Sequence, residues 1–128
     1  MKIAPFPTKL LAIAGAAIAL WLALVVFSYT SPVVYLHYAA SATAPVTYFF
    51  NEDNDIVKDQ IAPGARLAFR TAHRPRAGYV INVSLPAASR DGVDITPPFS
   101  RVDVYIGADT KITRTVVRTD FLARFGSD

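Results

Sequence analysis

Residues 10–27 read LLAIAGAAIALWLALVVF, an unbroken run without a charged, amide or hydroxyl side chain. At 1.5 Å of rise per residue a helix of these 18 residues covers about 27 Å, close to the ~30 Å hydrocarbon thickness of a bilayer. A helix apolar on every side has no solvent face, and a chain of 128 residues is too small to wrap it. Residues 10–29 are therefore expected to cross a membrane, with Ser28 and Tyr29 extending the run. A cleaved signal peptide has a shorter apolar core followed closely by small residues. Here Ala40-Ser41-Ala42 and Ala42-Thr43-Ala44 lie well past Phe27, so the run reads as a retained anchor.

The flanks give the span a direction. Lys2 and Lys9 precede it, whereas the first charged residue after it is Glu52. The positive-inside bias puts residues 1–9 in the cytoplasm as a short stub, kept extended by Pro5 and Pro7. In a bacterium this means a single pass through the inner membrane and a periplasmic C-terminal domain. Within the span, Ala12, Gly15, Ala16, Ala19 and Ala23 recur at spacings of three and four. Such a stripe lets another helix approach closely, from another membrane subunit or from a second copy; alanine is also an indifferent filler in membrane helices.

Residues 30–44 read as an interfacial segment and linker. Tyr29, Tyr35 and Tyr38 suit the aromatic belt at a membrane surface, Pro32 stops the helix, and Ser41 to Ala44 are small. His37 is the only titratable side chain of ordinary charge in this stretch and is assigned the same interfacial role.

From residue 45 to 128 the pattern changes to short runs of β-branched and aromatic residues separated by turn formers, which predicts a small antiparallel β-sandwich, Ig-like or jelly-roll-like, of about six to seven strands. The expected strands are 46–51, 56–60, 65–71, 78–85, 101–106 and 111–119. Alternation singles out Tyr79, Ile81, Val83 and Leu85, and Val102, Val104 and Ile106, as core, with Arg101, Asp103 and Tyr105 facing away. Turns are expected at 51–55, 63–64, 74–78 and 107–110. Residues 86–100 form the largest expected loop. The tail has two readings, a helical turn near Phe121, Leu122 and Phe125 with Asp120 as candidate cap, or a segment lying flat on the sheet.

Composition excludes several classes of function. From residue 45 onward there are 11 basic and 10 acidic residues, without the large excess of a nucleic-acid binder. No cysteine is present, which removes disulfides, thiolate nucleophiles and cysteine metal sites together. No Gly-x-Ser-x-Gly elbow or glycine-rich phosphate loop occurs, so no catalytic residue and no cofactor site is assigned. Glu52, Asp53, Asp55 and Asp59 lack the central glycine and closing glutamate of a calcium loop and are read as a solvated turn, not a metal site.

One basic pattern remains. In a strand, residues four apart share a face, so Arg66 with Arg70, and Arg114 with Arg118, form two outward pairs. If their strands are neighbours the four make a patch for an acidic partner surface, an anionic polysaccharide or lipid headgroups; the competing and favoured reading is a set of ordinary surface arginines neutralised by Asp59, Asp103, Asp109 and Asp120. A minimal stub, one anchor and an external β-domain suit a non-catalytic accessory or scaffolding subunit of an envelope complex, with the bilayer and other membrane subunits as partners. The alternative is a membrane-anchored binding module, such as an immunity-type protein that captures a toxin.

Overall fold

The computed structural model describes residues 7–86 and 90–126. The chain divides into two units after Thr30.

The first unit is the helix α1, Thr8–Ser28. Its 21 residues give a length of about 31 Å, and it is long and apolar enough to cross a membrane. Pro7 precedes its first turn, and its carbonyl accepts the amides of Leu10 and Leu11 at 3.0 and 3.2 Å. At the other end the Ser28 and Thr30 hydroxyls donate to the carbonyls of Val25 and Phe27, at 2.7 and 2.6 Å, taking up acceptors that the helix cannot satisfy itself. Pro32 then forbids continuation. Thr8 and Lys9 belong to α1, and residues 1–6 of the expected stub lie outside the described residues.

The second unit is a β-sandwich of eight strands, more than the six to seven expected: β1 Val33–Tyr38, β2 Val46–Glu52, β3 Asp55–Ile61, β4 Arg66–Arg70, β5 Ile81–Leu85, β6 Asp91–Ile95, β7 Arg101–Ile106 and β8 Ile112–Arg118. One sheet has the order β4-β1-β7-β8 and the other β3-β2-β5-β6. All pairings are antiparallel except β1 with β7, which run parallel. Alternate residues of each strand meet between the sheets. Val34, Leu36 and Tyr38 from β1 and Val102, Val104 and Ile106 from β7 face Tyr48 and Phe50 from β2 and Ile81, Val83 and Leu85 from β5. Each fully buried aliphatic side chain contributes about 1.5–3 kcal/mol. The Phe50 and Phe69 rings stack at 4.2 Å, tying β2 to β4 across the two layers.

All seven alternation-derived core residues are buried. The β2–β3 hairpin turns through Asp53 and Asn54, both at positive φ (50° and 73°), the primed geometry that two-residue hairpins require. Its acidic residues serve the fold. Glu52 accepts from the Tyr79 hydroxyl and from the Ala72 amide, and Asp53 takes Nε and Nη2 of Arg76, both at 2.7 Å.

Five expectations are corrected. Residues 30–44 are not an interfacial linker: Val33–Tyr38 is a strand in the middle of a sheet, buried at five of its six positions. The domain therefore starts at Ser31, not residue 45. The long 86–100 loop is interrupted by β6, which hydrogen-bonds along β5; residues 87–89 lie outside the described residues. The helical turn is present as a 3₁₀ turn, Phe121–Phe125, but Asp120 makes no side-chain capping bond. The expected strand over 78–85 starts only at Ile81, because Gly78 sits at φ 80° and turns the chain, although Tyr79 still reaches the core.

Candidate functional site

The outer face of the β4-β1-β7-β8 sheet gathers the chemistry that the rest of the domain lacks. Strand register lays three rows across it. The first row is Arg66, His37, Tyr105 and Arg114; the second is Ala68, Tyr35, Asp103 and Val116; the third is Arg70, Val33, Arg101 and Arg118.

The four sequence-derived arginines thus share one face but stand at its corners. β4 and β8 are opposite edges with β1 and β7 between them, about 14 Å apart at normal strand spacing, so they do not form the contiguous patch that neighbouring strands would give. What fills the frame is aromatic. The guanidinium of Arg66 lies over the Tyr35 ring at 4.7 Å, and that of Arg114 over the Tyr105 ring at 4.4 Å. The Tyr105 ring stacks on His37 with centroids 4.5 Å apart and planes 11° from parallel. Each cation–aromatic contact holds an arginine upright on the sheet and contributes roughly 0.5–1 kcal/mol at an exposed site.

Beneath this layer lies a buried ionic group. Arg101 and Asp103, expected to face solvent, are 1% and 2% exposed. Arg101 donates through Nε to Oδ2 of Asp103 at 2.9 Å and through Nη2 to Oδ1 at 3.1 Å; its Nη1 donates to the Gly126 carbonyl at 2.6 Å. Its guanidinium also lies over the Tyr35 ring at 4.5 Å. His37 donates its Nε2 proton to Oδ1 of Asp103 at 2.7 Å. Burial by itself pushes the Asp103 carboxyl up, but hydrogen bonds from Arg101 and His37 and their charges overcome it and hold the carboxyl below its ordinary value. Arg101 is held above its own ordinary value, first by the hydrogen bond to Asp103, against the opposing effect of burial. The burial of both charges comes from β1 on one side and the 3₁₀ turn over the top, both of which the sequence reading placed elsewhere or left loose.

The remaining arginines border the 3₁₀ turn. Arg70 donates Nη1 to the Ser31 carbonyl at 3.1 Å, and Arg124 donates Nε to the Ser100 hydroxyl at 3.0 Å while its guanidinium lies over the Phe121 ring at 4.5 Å. Burial and the nearby charge of Arg70 push Arg124 below its ordinary value, the sign of cations crowded at one end of the face. Arg118 is exposed beside Arg101. The face as a whole carries Arg66, Arg70, Arg101, Arg114, Arg118 and Arg124, against Asp103, whose oxygens are already engaged.

Elsewhere, the chemistry is structural. Tyr79 is driven up by burial and by its hydrogen bond to Glu52, and Arg76 by its bond to Asp53; both fasten the 72–80 segment to the β2–β3 hairpin. Among the described residues no group of three or more His, Asp or Glu side chains is placed to hold a metal. A cleft of about 230 Å³ lies between Pro32, His73, Tyr79, Pro97 and Phe99, and a shallower depression of about 490 Å³ is lined by Val46, Phe49 and Lys58. On α1, the five small residues Ala12, Gly15, Ala16, Ala19 and Ala23 fall within an arc of about 100°, and space around a side chain added at Gly15 is open.

The residues missed by sequence reasoning are Tyr35, His37, Arg101, Asp103, Tyr105 and Arg124. The register of β1 against β7 joins Tyr35 and His37 to Asp103 and Tyr105, and that required recognising β1. Comparison of the chain with protein-family models, with curated proteins and with solved structures gives no match.

Proposed function

We propose that the protein is a non-catalytic accessory or scaffolding subunit of a membrane assembly, anchored by α1 and docking an acidic surface of a partner protein through the arginine-framed face. The observation that carries this reading is the charge arrangement: four arginines at the corners of one rigid sheet, two of them standing on tyrosine rings, around a carboxylate already committed within the face. Arginine presented in this way reads carboxylates bidentately, with its side chain ordered before binding. The acid on the strands of this face, Asp103, is already engaged by Arg101 and His37. The lysines before the span and the absence of charge between it and Glu52 support a cytoplasmic N-terminus and, in a bacterium, an inner-membrane anchor with a periplasmic domain. The small-residue stripe on α1 offers the same assembly a second contact within the bilayer.

The test is charge reversal. Full-length protein is purified in mild detergent beside Arg66→Glu/Arg114→Glu. Loss of copurifying subunits from the variant, with the thermal midpoint of the sandwich unchanged, is the expected result. An unchanged set of copurifying proteins would contradict the docking face.

A further inference from the structure

The 3₁₀ turn presents three large apolar side chains to solvent: Phe121, Leu122 and Phe125, 56%, 73% and 50% exposed. The two rings pack edge to face at 5.6 Å, so the three make one apolar knob and not three scattered residues. The knob is held out rigidly. The Ser100 hydroxyl donates to the Phe121 carbonyl at 3.2 Å, and buried Arg101 donates to the Gly126 carbonyl. Polar anchorage of the backbone on both sides of the turn aims its apolar side chains away from the sheet.

Two further observations say what meets it. The first is charge: Arg118, Arg124 and Arg70 surround the turn, with Asp120 as the adjoining acid. The second is chain connectivity. Ser100, which holds the turn, also accepts the Val33 amide on its carbonyl at 3.1 Å, and Arg70 binds the Ser31 carbonyl. The turn therefore lies at the end of the sandwich where the chain enters. Only Tyr29 and Thr30 stand between Ser28, the last residue of α1, and Ser31, so whatever angle the two units adopt, Ser31 stays within about 11 Å of the helix end. With α1 in a bilayer, Ser31 is tethered within that distance of the helix end.

We propose that Phe121, Leu122 and Phe125 seat in the lipid interface, with Arg70, Arg118 and Arg124 against anionic headgroups. Large apolar side chains rimmed by arginine are the composition of interfacial segments. The seat fixes the domain at the membrane surface, whereas the Arg66–Arg114 row, four residues further along the strands, stands about 13 Å away from the Arg70–Arg118 row. The outer face then divides into a lipid-facing end and a partner-facing end. This inference rests on α1 crossing the membrane and not on the identity of the docking partner.

Because the chain has no cysteine, single-cysteine variants of the full-length protein can be labelled cleanly with an environment-sensitive fluorophore and placed in nanodiscs. The variants are Leu122→Cys on the turn, Ile18→Cys in α1 and Ile56→Cys on exposed β3. In discs containing phosphatidylglycerol, the label at residue 122 is expected to be quenched by doxyl-labelled lipid and to be at least threefold less accessible to iodide than the label at residue 56. Quenching by lipid is expected to weaken in pure phosphatidylcholine. A wet label at residue 122 beside a lipid-quenched label at residue 18 would overturn the seat and leave the span standing. Shielding from iodide without lipid quenching would mean a protein covers the turn, and would overturn it equally. A label at residue 18 that escapes lipid quenching would remove the span and the seat together.

Discussion

Asp103 is the residue on which the outer face depends. Its two oxygens receive Nε and Nη2 of Arg101 and Nε2 of His37, and its 2% exposure leaves no water to replace them. Asp103→Asn keeps the shape but strands the Arg101 guanidinium beneath Tyr35 and the 3₁₀ turn, and is expected to cost about 3 kcal/mol in unfolding free energy. Replacing both partners by apolar residues of similar volume, Arg101→Met/Asp103→Leu, is expected to cost much less, since no buried charge is left over. The pH dependence has a definite sign. The folded carboxyl is held below its ordinary value, so the unfolded chain takes up the proton first as pH falls. The stabilisation is complete at neutral pH and declines below about pH 4, where the gap between wild type and Asp103→Asn should close. Urea unfolding in mild detergent at pH 7, 5 and 3 measures all three expectations.

At the scale of elements, β1 explains both what was legible in the sequence and what was not. β5 and β7 could be read because each has one apolar face and a polar complement, Ile81-Val83-Leu85 against Asn82-Ser84 and Val102-Val104-Ile106 against Arg101-Asp103. β1, VVYLHY, is covered on both faces, so its alternation is between apolar and aromatic residues. Tyrosines just past a membrane span look like an interfacial belt whether or not they belong to a strand. Missing β1 removed the cover from Arg101 and Asp103, which then had to be read as solvent-facing. It also separated Arg66 from Tyr35 and His37 from Tyr105. β6 was hidden for the opposite reason: DGVDI has two apolar positions, and its polar residues look like loop. The strand assignment of β1 has a direct consequence for stability. Leu36 is fully buried between the sheets, so Leu36→Ala is expected to destabilise the sandwich by about 3 kcal/mol. Were 33–40 a linker at the membrane surface, the same change would shift the unfolding midpoint hardly at all.

On the scale of the whole molecule, one apolar helix and one sandwich are joined by two residues of chain, and five of the sandwich's arginines stand on the strands of a single sheet. The two layers of the domain differ in kind. At the β3-β2-β5-β6 sheet, Glu52 and Asp53 fasten a neighbouring loop, through Tyr79 and Arg76. The β4-β1-β7-β8 sheet sets arginines upright on aromatic rings around a satisfied ionic core. Such asymmetry is the central claim of the proposed function: partners meet one sheet and not the other. It is tested most directly by placing a photo-cross-linking amino acid in the full-length protein at Ala68, exposed on the arginine-bearing face, or at Val57, exposed on β3 of the other sheet. Irradiation in native membranes is expected to join residue 68 to a specific protein, with the adduct lost in Arg66→Glu/Arg114→Glu, and to leave residue 57 without one. Adducts from residue 57 alone, or from both positions and insensitive to charge reversal, would contradict the claim.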